Sequence, residues 1–570
     1  MQESTQGTRK AAKEESLIET IGSAFHMDRY RFALLLVVLF GIFLSYVFFY
    51  GPSPITGADN YLYIQFAHEI SRGNIRAVAQ NGVLAQQYLL IAGISAFLLL
   101  LGATTPFTAS IFGVLCFALT LVALYGIGAK LYNKKAGVLS AFVYSFNPVA
   151  VVNSSYVGDN GPMAFLATLS VMFFAFAIKE QDEKARSRYY ALSGFVLMMD
   201  MLVSSQSIVL LAFALPILLI LLIKNRNRES FMNICFYALG LLAGFAVLLL
   251  IEIAVGNAPF YIFTLNYGIY TDTSVPLSMR INDYAEWLFP YRAIRTVSSF
   301  FELLRAQQIP AAAQTLAQAI ASMFDVHKMS YPSGQANGLF GYFMVLGAIY
   351  LVYHGNLRLL IPAFWFVSTF LYMGVGTVSI SHYVPIDISY VRLMLIYLPS
   401  LGLIIGFALT DLSERGRRGV RNCIVALALF LIVLPLFTNA LLMIHYIDMS
   451  QYRAVWPLVQ LGNFVKGLPE AQGADALRIY LRPIFPLDLY TSYKYRTLAM
   501  PLDFPDCNWL PANGYLVLLK PNASIALACN LTEVYRPPPL PQYLLQFNLL
   551  DNNTFGSYEN TTVYYRASPP

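Results

Sequence analysis

The chain has 570 residues, 57% of them hydrophobic and 12% charged, with a formal net charge of +6 and a mean hydropathy of +0.57. Repeated runs of about 20 apolar residues match the hydrocarbon thickness of a bilayer, so the composition excludes a soluble globular domain. The basic excess matters through its placement in short loops rather than its sum, and it implies no nucleic-acid partner.

In chain order, residues 1–31 are polar and carry Arg9, Lys10, Lys13, Arg29 and Arg31. The apolar run that follows has no small-residue cleavage pattern after it and reads as a signal anchor. Apolar spans are predicted at about 32–50, 107–129, 137–152, 163–178, 189–203, 207–223, 231–255, 339–353, 359–376, 391–410 and 422–446, with an ambiguous segment at about 86–101. If 86–101 does not cross, the loops holding Lys130, Lys134 and Lys135, Lys179 to Arg188, Lys224 to Arg228, Arg358, and Arg415 to Arg421 all share the side of the N-terminus. Just over half of the 37 Lys and Arg then lie inside, as the positive-inside bias requires. The expectation is a polytopic α-helical membrane protein with about eleven crossings, a half-buried segment at 86–101, a cytoplasmic N-terminus and an extracytoplasmic C-terminus.

Two long outer loops follow from this topology, 51–106 and 256–338. The first contains a short helix from Asn60 to Arg72 with Leu62, Phe66 and Ile70 on one face; the second has an amphipathic pattern from Ala293 to Phe324 interrupted by Pro310. From 447 to 570 the apolar periodicity ends. A helix near Ala454 to Val465 and strands at Arg478–Leu481, Tyr515–Leu519 and Val563–Tyr565 predict a small outer α/β domain. Cys116, Cys235 and Cys423 fall in apolar spans, whereas Cys507 and Cys529 lie in the C-terminal region and are the pair that could form a disulfide. Sequons at Asn153, Asn522, Asn530, Asn552 and Asn560 all fall on the expected outer side, Asn522, Asn530, Asn552 and Asn560 being the candidate glycosylation sites of the C-terminal region.

Two acidic motifs stand at the outer ends of apolar segments, Gly57-Ala58-Asp59-Asn60-Tyr61 and Gly158-Asp159-Asn160. A carboxylate at Asp59 could serve as general base or hold a divalent cation such as Mn²⁺ or Mg²⁺, or it could cap the helix starting at Asn60. Asp159 precedes Gly161-Pro162 and could likewise cap a crossing or join Asp59 in one site. Nearby His68 reads as a packed or interfacial histidine. Arg392, just inside the outer end of a span, either grips an anionic group such as a lipid phosphate or snorkels to the interface. Arg280 is a candidate of the same kind, although in its loop a solvated arginine is the plainer reading. Walker-type, HExxH, CxxC and nucleophile-elbow patterns are absent, which leaves ATP hydrolysis, zinc proteolysis and serine-hydrolase chemistry without support.

The stretches Gly57-Ala58-Asp59-Asn60-Tyr61-Leu62-Tyr63 and Ser155-Tyr156-Val157-Gly158-Asp159-Asn160, together with Arg392, Pro399, Gly402 and Gly406, resemble the loop motifs and the arginine-bearing span of the GT-C superfamily of membrane glycosyltransferases. They are similar in particular to those of the catalytic subunit of oligosaccharyltransferases. The resemblance implies a GT-C-like transmembrane domain over 32–446 and an outer domain over 447–570. It further implies Asp59 and Asp159 as catalytic or metal-binding carboxylates, Arg392 as a donor-phosphate contact with Arg280 as a second candidate, and a polyprenyl-phosphate-linked sugar as donor. The acceptor is then a glycan, lipid or protein. The sequence departs from oligosaccharyltransferases where Asn160 and Gly161 follow Asp159 in place of a further acid. It also departs where Leu481-Arg482-Pro483-Ile484-Phe485-Pro486 stands in the region of the WWDYG signature. A transferase moving one sugar from a polyprenyl phosphate fits these departures; the alternatives are a divergent metal-dependent oligosaccharyltransferase and, in another class, a transporter or lipid flippase, for which few acids sit in the spans.

Overall fold

A computed structural model describes residues 28–49, 58–75, 87–102, 105–155, 157–257, 305, 340–375, 395–415 and 418–435, and, further on, 456, 459–464, 479–481, 497–499, 515–518, 529–539, 541–542 and 562–566. Its helices are α1 (Arg29–Phe49), α2 (Ala58–Ser71), α3 (Tyr88–Leu101), α4 (Pro106–Leu131), α5 (Lys134–Ser145), α6 (Pro148–Ser155), α7 (Asn160–Lys179) and α8 (Glu183–Met201). They continue with α9 (Leu211–Asn225), α10 (Arg228–Val255), α11 (Phe340–Tyr353), α12 (Leu360–Val375), α13 (Leu398–Arg415) and α14 (Arg418–Pro435). Four of the described helices hold segments long and apolar enough to cross a membrane: Arg29–Tyr46, Phe107–Leu131, Asn160–Lys179 and Arg228–Val255. The second and third are 67% and 61% buried, against 17% and 22% for the first and fourth, so α4 and α7 form the interior while α1 and α10 face outward.

Local chemistry sets the helix ends. Thr105 precedes Pro106 and accepts from the backbone of Thr108, Asn133 accepts from Ala136, Asp182 from Ala185 and Asn227 from Ser230. Each side chain satisfies an N–H that the first turn leaves free. Two expected spans are built differently from a single helix. The span at 137–152 is α5 and α6, broken where Asn147 precedes Pro148 and its side chain accepts from Ala150, because proline cannot continue a helix but suits the start of one. The span at 207–223 opens as a 3₁₀ turn, Ser205–Leu210, before α9.

The two ends of the helix layer differ in chemistry. At one end Lys130 pairs with Glu180 at 3.2 Å, Lys134 with Asp28 at 2.6 Å and Arg186 with Glu229. Tyr132 donates to Asp411 at 2.7 Å, Arg415 pairs with Asp411 at 2.8 Å, and Arg358 lies over the Tyr132 ring. At the other end Ser45 and Ser154 share a hydrogen bond of 2.9 Å, Leu89 donates its N–H to the Leu202 carbonyl, and Asn257 donates to the Tyr88 hydroxyl at 2.8 Å. Helix α3 begins at this second end, and its Gly93 lies under the Phe112 ring of α4. Its 14 residues reach about 21 Å, short of the roughly 30 Å of hydrocarbon.

Helices α7, α8 and α10 are bound closely. Ser170 and Ser193 exchange hydroxyl-to-carbonyl hydrogen bonds, each of 2.9 Å. At Gly240 any Cβ would overlap the Ala191 carbonyl. Small residues and hydroxyls at such crossings let backbones approach where lipid supplies no hydrophobic drive.

In the C-terminal part, β1 (Ile479–Leu481), β2 (Thr497–Ala499), β3 (Tyr515–Leu518), β4 (Leu531–Tyr535) and β5 (Thr562–Arg566) form one mixed sheet of order β2-β1-β3-β5-β4. β1 is parallel to β2 and β3, while β3–β5 and β5–β4 are antiparallel. The Phe464 ring, at the end of the helical residues 459–464, stacks on Tyr535 at 4.1 Å and holds that segment against this sheet.

Candidate active site

The first acidic motif opens α2, which starts at Ala58. Asp59 therefore stands inside the first turn and not ahead of it, in contrast to the expectation of a helix from Asn60; a carboxylate in a first turn is favoured by the positive end of the helix dipole. His68 sits in the last turn of α2 and is buried. Desolvation holds its pKa below the ordinary histidine value, Arg72 adds to the depression, and Glu69 opposes it.

The second motif is a bend over 157–159 leading into α7. Asp159 occupies the N-cap position with helical φ and ψ of −73° and −20°, and its side chain makes no cap hydrogen bond. The capping alternative thus gives way: the main-chain carbonyl of Asp159 accepts from Met163, while its carboxylate accepts from the Gln87 amide at 3.4 Å. Gln87 immediately precedes α3, so the first long loop and the second acidic motif meet at one face.

A further carboxylate lies there. Asp200, in the last turn of α8, is 0% exposed. Neither of its oxygens has a hydrogen-bond partner, and Ser207, also 0% exposed, faces it without closing a hydrogen bond of normal geometry. Asp159 is the charged group that Asp200 feels. Sequence reasoning counted Asp200 only among the few acids of the spans, against a transport pathway; the signal that could have found it is the general one, that an acid within an apolar span is expensive enough to need a role.

Arg392, Arg280, Cys507, Asn522, Asn552 and Asn560 lie outside the described residues, and for Asp59 the backbone alone is described. Cys529 is disulfide-bonded, and Asn530 is exposed with φ +49°. Among the described residues no three His, Cys, Asp or Glu side chains gather as a metal cluster.

Residues 89–251 match the family model of dolichyl-phosphate-mannose-protein mannosyltransferases. The matched segment contains Asp159 and Asp200 and leaves out Asp59 and Arg392. No curated protein matches the chain by sequence. Among solved structures, ArnT from Cupriavidus metallidurans bound to undecaprenyl phosphate is similar over 94% of this chain and 99% of its own, with 10% identity and a TM-score of 0.53. The Archaeoglobus fulgidus oligosaccharyltransferase in complex with zinc and sulfate aligns over 82% of this chain and 62% of its own, with 13% identity and a TM-score of 0.46. The archaeal oligosaccharyltransferase AglB from Archaeoglobus fulgidus, in complex with an inhibitory peptide and a dolichol-phosphate, gives 82%, 64%, 12% and 0.47. The chain thus spans less than two thirds of the archaeal enzyme's length. By family model in its first membrane half and by fold along nearly its whole length, the chain is similar to membrane glycosyltransferases of the GT-C class.

Proposed function

We propose that the protein is an integral membrane glycosyltransferase that moves a sugar from a polyprenyl-phosphate-linked donor to a glycan, lipid or protein acceptor on the extracytoplasmic side. The observation that carries this reading is Asp159, which lies within the family-matched segment and whose carboxylate is free of capping duty at the face reached by the loop after Asp59. In the reaction, an acceptor hydroxyl attacks the anomeric carbon and passes its proton to the Asp59 carboxylate. The bond from that carbon to the phosphate oxygen breaks, and polyprenyl phosphate leaves with the electron pair, its charge met by Arg392 and, in the second outer loop, by Arg280. Charge stabilisation of this kind in a water-poor site contributes several kcal/mol to lowering a barrier. In the alternative reading, a divergent metal-dependent oligosaccharyltransferase, Asp59 and Asp159 are the residues that would hold Mn²⁺ or Mg²⁺, an ion that would supply positive charge toward the donor phosphate.

The topology behind this reading has about eleven crossings, a cytoplasmic segment 1–31, a transmembrane domain 32–446 and an outer domain 447–570. The gathering of Lys130, Lys134, Arg186, Arg358 and Arg415 at one end of the helices and of Asp159 at the other supports it. Pairing of Cys507 with Cys529 and glycosylation at Asn522, Asn530, Asn552 and Asn560 suit that outer domain. The test is transfer of labelled sugar by purified protein in lipid vesicles, with Asp159→Asn beside the wild type. Loss of labelled product in the variant is expected; an unaltered rate takes Asp159 out of the reaction.

A further inference from the structure

We infer that Asp200, with the oxygens of Ser207 and Gln87, completes a binding site for a hard divalent cation against Asp159. Four acceptor-bearing side chains, each from a different element, are linked here. Asp159 accepts from the Gln87 amide nitrogen. The Leu89 N–H bond to the Leu202 carbonyl sets the start of α3 beside the end of the Asp200 helix. Ser207 faces Asp200 from the 3₁₀ turn that follows.

What marks the cluster as a site is the state of its oxygens. Both oxygens of Asp200, the hydroxyl of Ser207 and the amide oxygen of Gln87 are buried without a hydrogen-bond partner. Asp200 pairs with no Lys or Arg among the described residues, while a second carboxylate lies in electrostatic range. Natural interiors satisfy buried acceptors, and a buried carboxylate near another is relieved by a proton or by a cation; one proton satisfies one acceptor at most, whereas four buried oxygens stand unpartnered here. An oxygen-only set with two carboxylates, one hydroxyl and one amide oxygen is the donor chemistry of Mg²⁺, Mn²⁺ or Ca²⁺. Asn160 and Gly161 carry no charge, so Asp200 is the further acid that the described residues set within electrostatic range of Asp159.

The measurement is Mn²⁺ binding to the purified full-length protein in lipid nanodiscs, read by electron paramagnetic resonance of the free ion, for wild type, Asp200→Asn and Ser207→Ala. One saturable site is expected in the wild type. Asp200→Asn should weaken it by more than the roughly 10- to 100-fold that loss of an outer-shell partner causes, and Ser207→Ala by about tenfold. Asparagine has the shape of a protonated acid, so unchanged Mn²⁺ affinity in folded Asp200→Asn overturns the site, as does a wild type that binds no ion. If Asp200→Asn fails to fold, Ser207→Ala decides, with unchanged affinity again counting against the site. Binding is read without turnover, so a protein that binds Mn²⁺ but transfers no sugar contradicts the transferase reading and leaves the cation site standing.

Discussion

Asp59→Asn should lower transfer by about 10²- to 10⁴-fold, the range of a lost general base, with thermal unfolding unchanged. Labelled-donor turnover checks this, and full activity in the variant removes Asp59 from the proton transfer. His68 carries a pH signature of its own. Its folded pKa is depressed by desolvation, so the unfolded chain binds the proton more readily. The stability it contributes is whole above the ordinary histidine value of about 6.5 and falls as the pH drops below it toward the lower folded value. Unfolding temperatures followed from pH 7.5 down to pH 5 should decline less in His68→Gln than in the wild type; parallel declines would mean that the fold does not hold the His68 pKa down.

At the scale of elements, Gly240→Leu pushes a side chain into the Ala191 carbonyl. Overpacking of this sort costs about 1–3 kcal/mol, whereas Gly419→Leu in α14 meets nothing within 4 Å. Thermal unfolding should separate the two variants, and equal midpoints would mean that α8 and α10 do not approach as described. Much of this level was legible in the chain: long apolar runs gave α1, α4, α7 and α10 their places, because a membrane helix needs only length and apolarity. The breaks were harder. Pro148 was readable as a helix start, yet the apolar run through it masked the change from α5 to α6. In the sheet, β2 and β4 escaped notice, since Thr497–Ala499 is three residues long and Leu531–Tyr535 places Thr532 and Glu533 side by side without period-two alternation. Asp159 could be picked out from its motif; Asp200 offered only an acid near the end of an apolar span, because Ser207, which faces it, belongs to the following 3₁₀ turn and only folding sets the two together.

For the whole molecule, the proposed topology puts the basic loops inside and the acidic motifs outside, and that sidedness can be read directly. In a background lacking Cys116, Cys235 and Cys423, Lys184→Cys should be shielded from an impermeant thiol reagent in intact cells and Glu533→Cys should react. The reverse pattern would invert the topology and move Asp159 to the cytoplasm. The central claim, transfer from a lipid-linked sugar, is tested most directly by supplying labelled polyprenyl-phosphate and polyprenyl-pyrophosphate sugars to the purified protein in lipid. The account predicts labelled product from the monophosphate donor, and a folded preparation that turns over neither donor would contradict it.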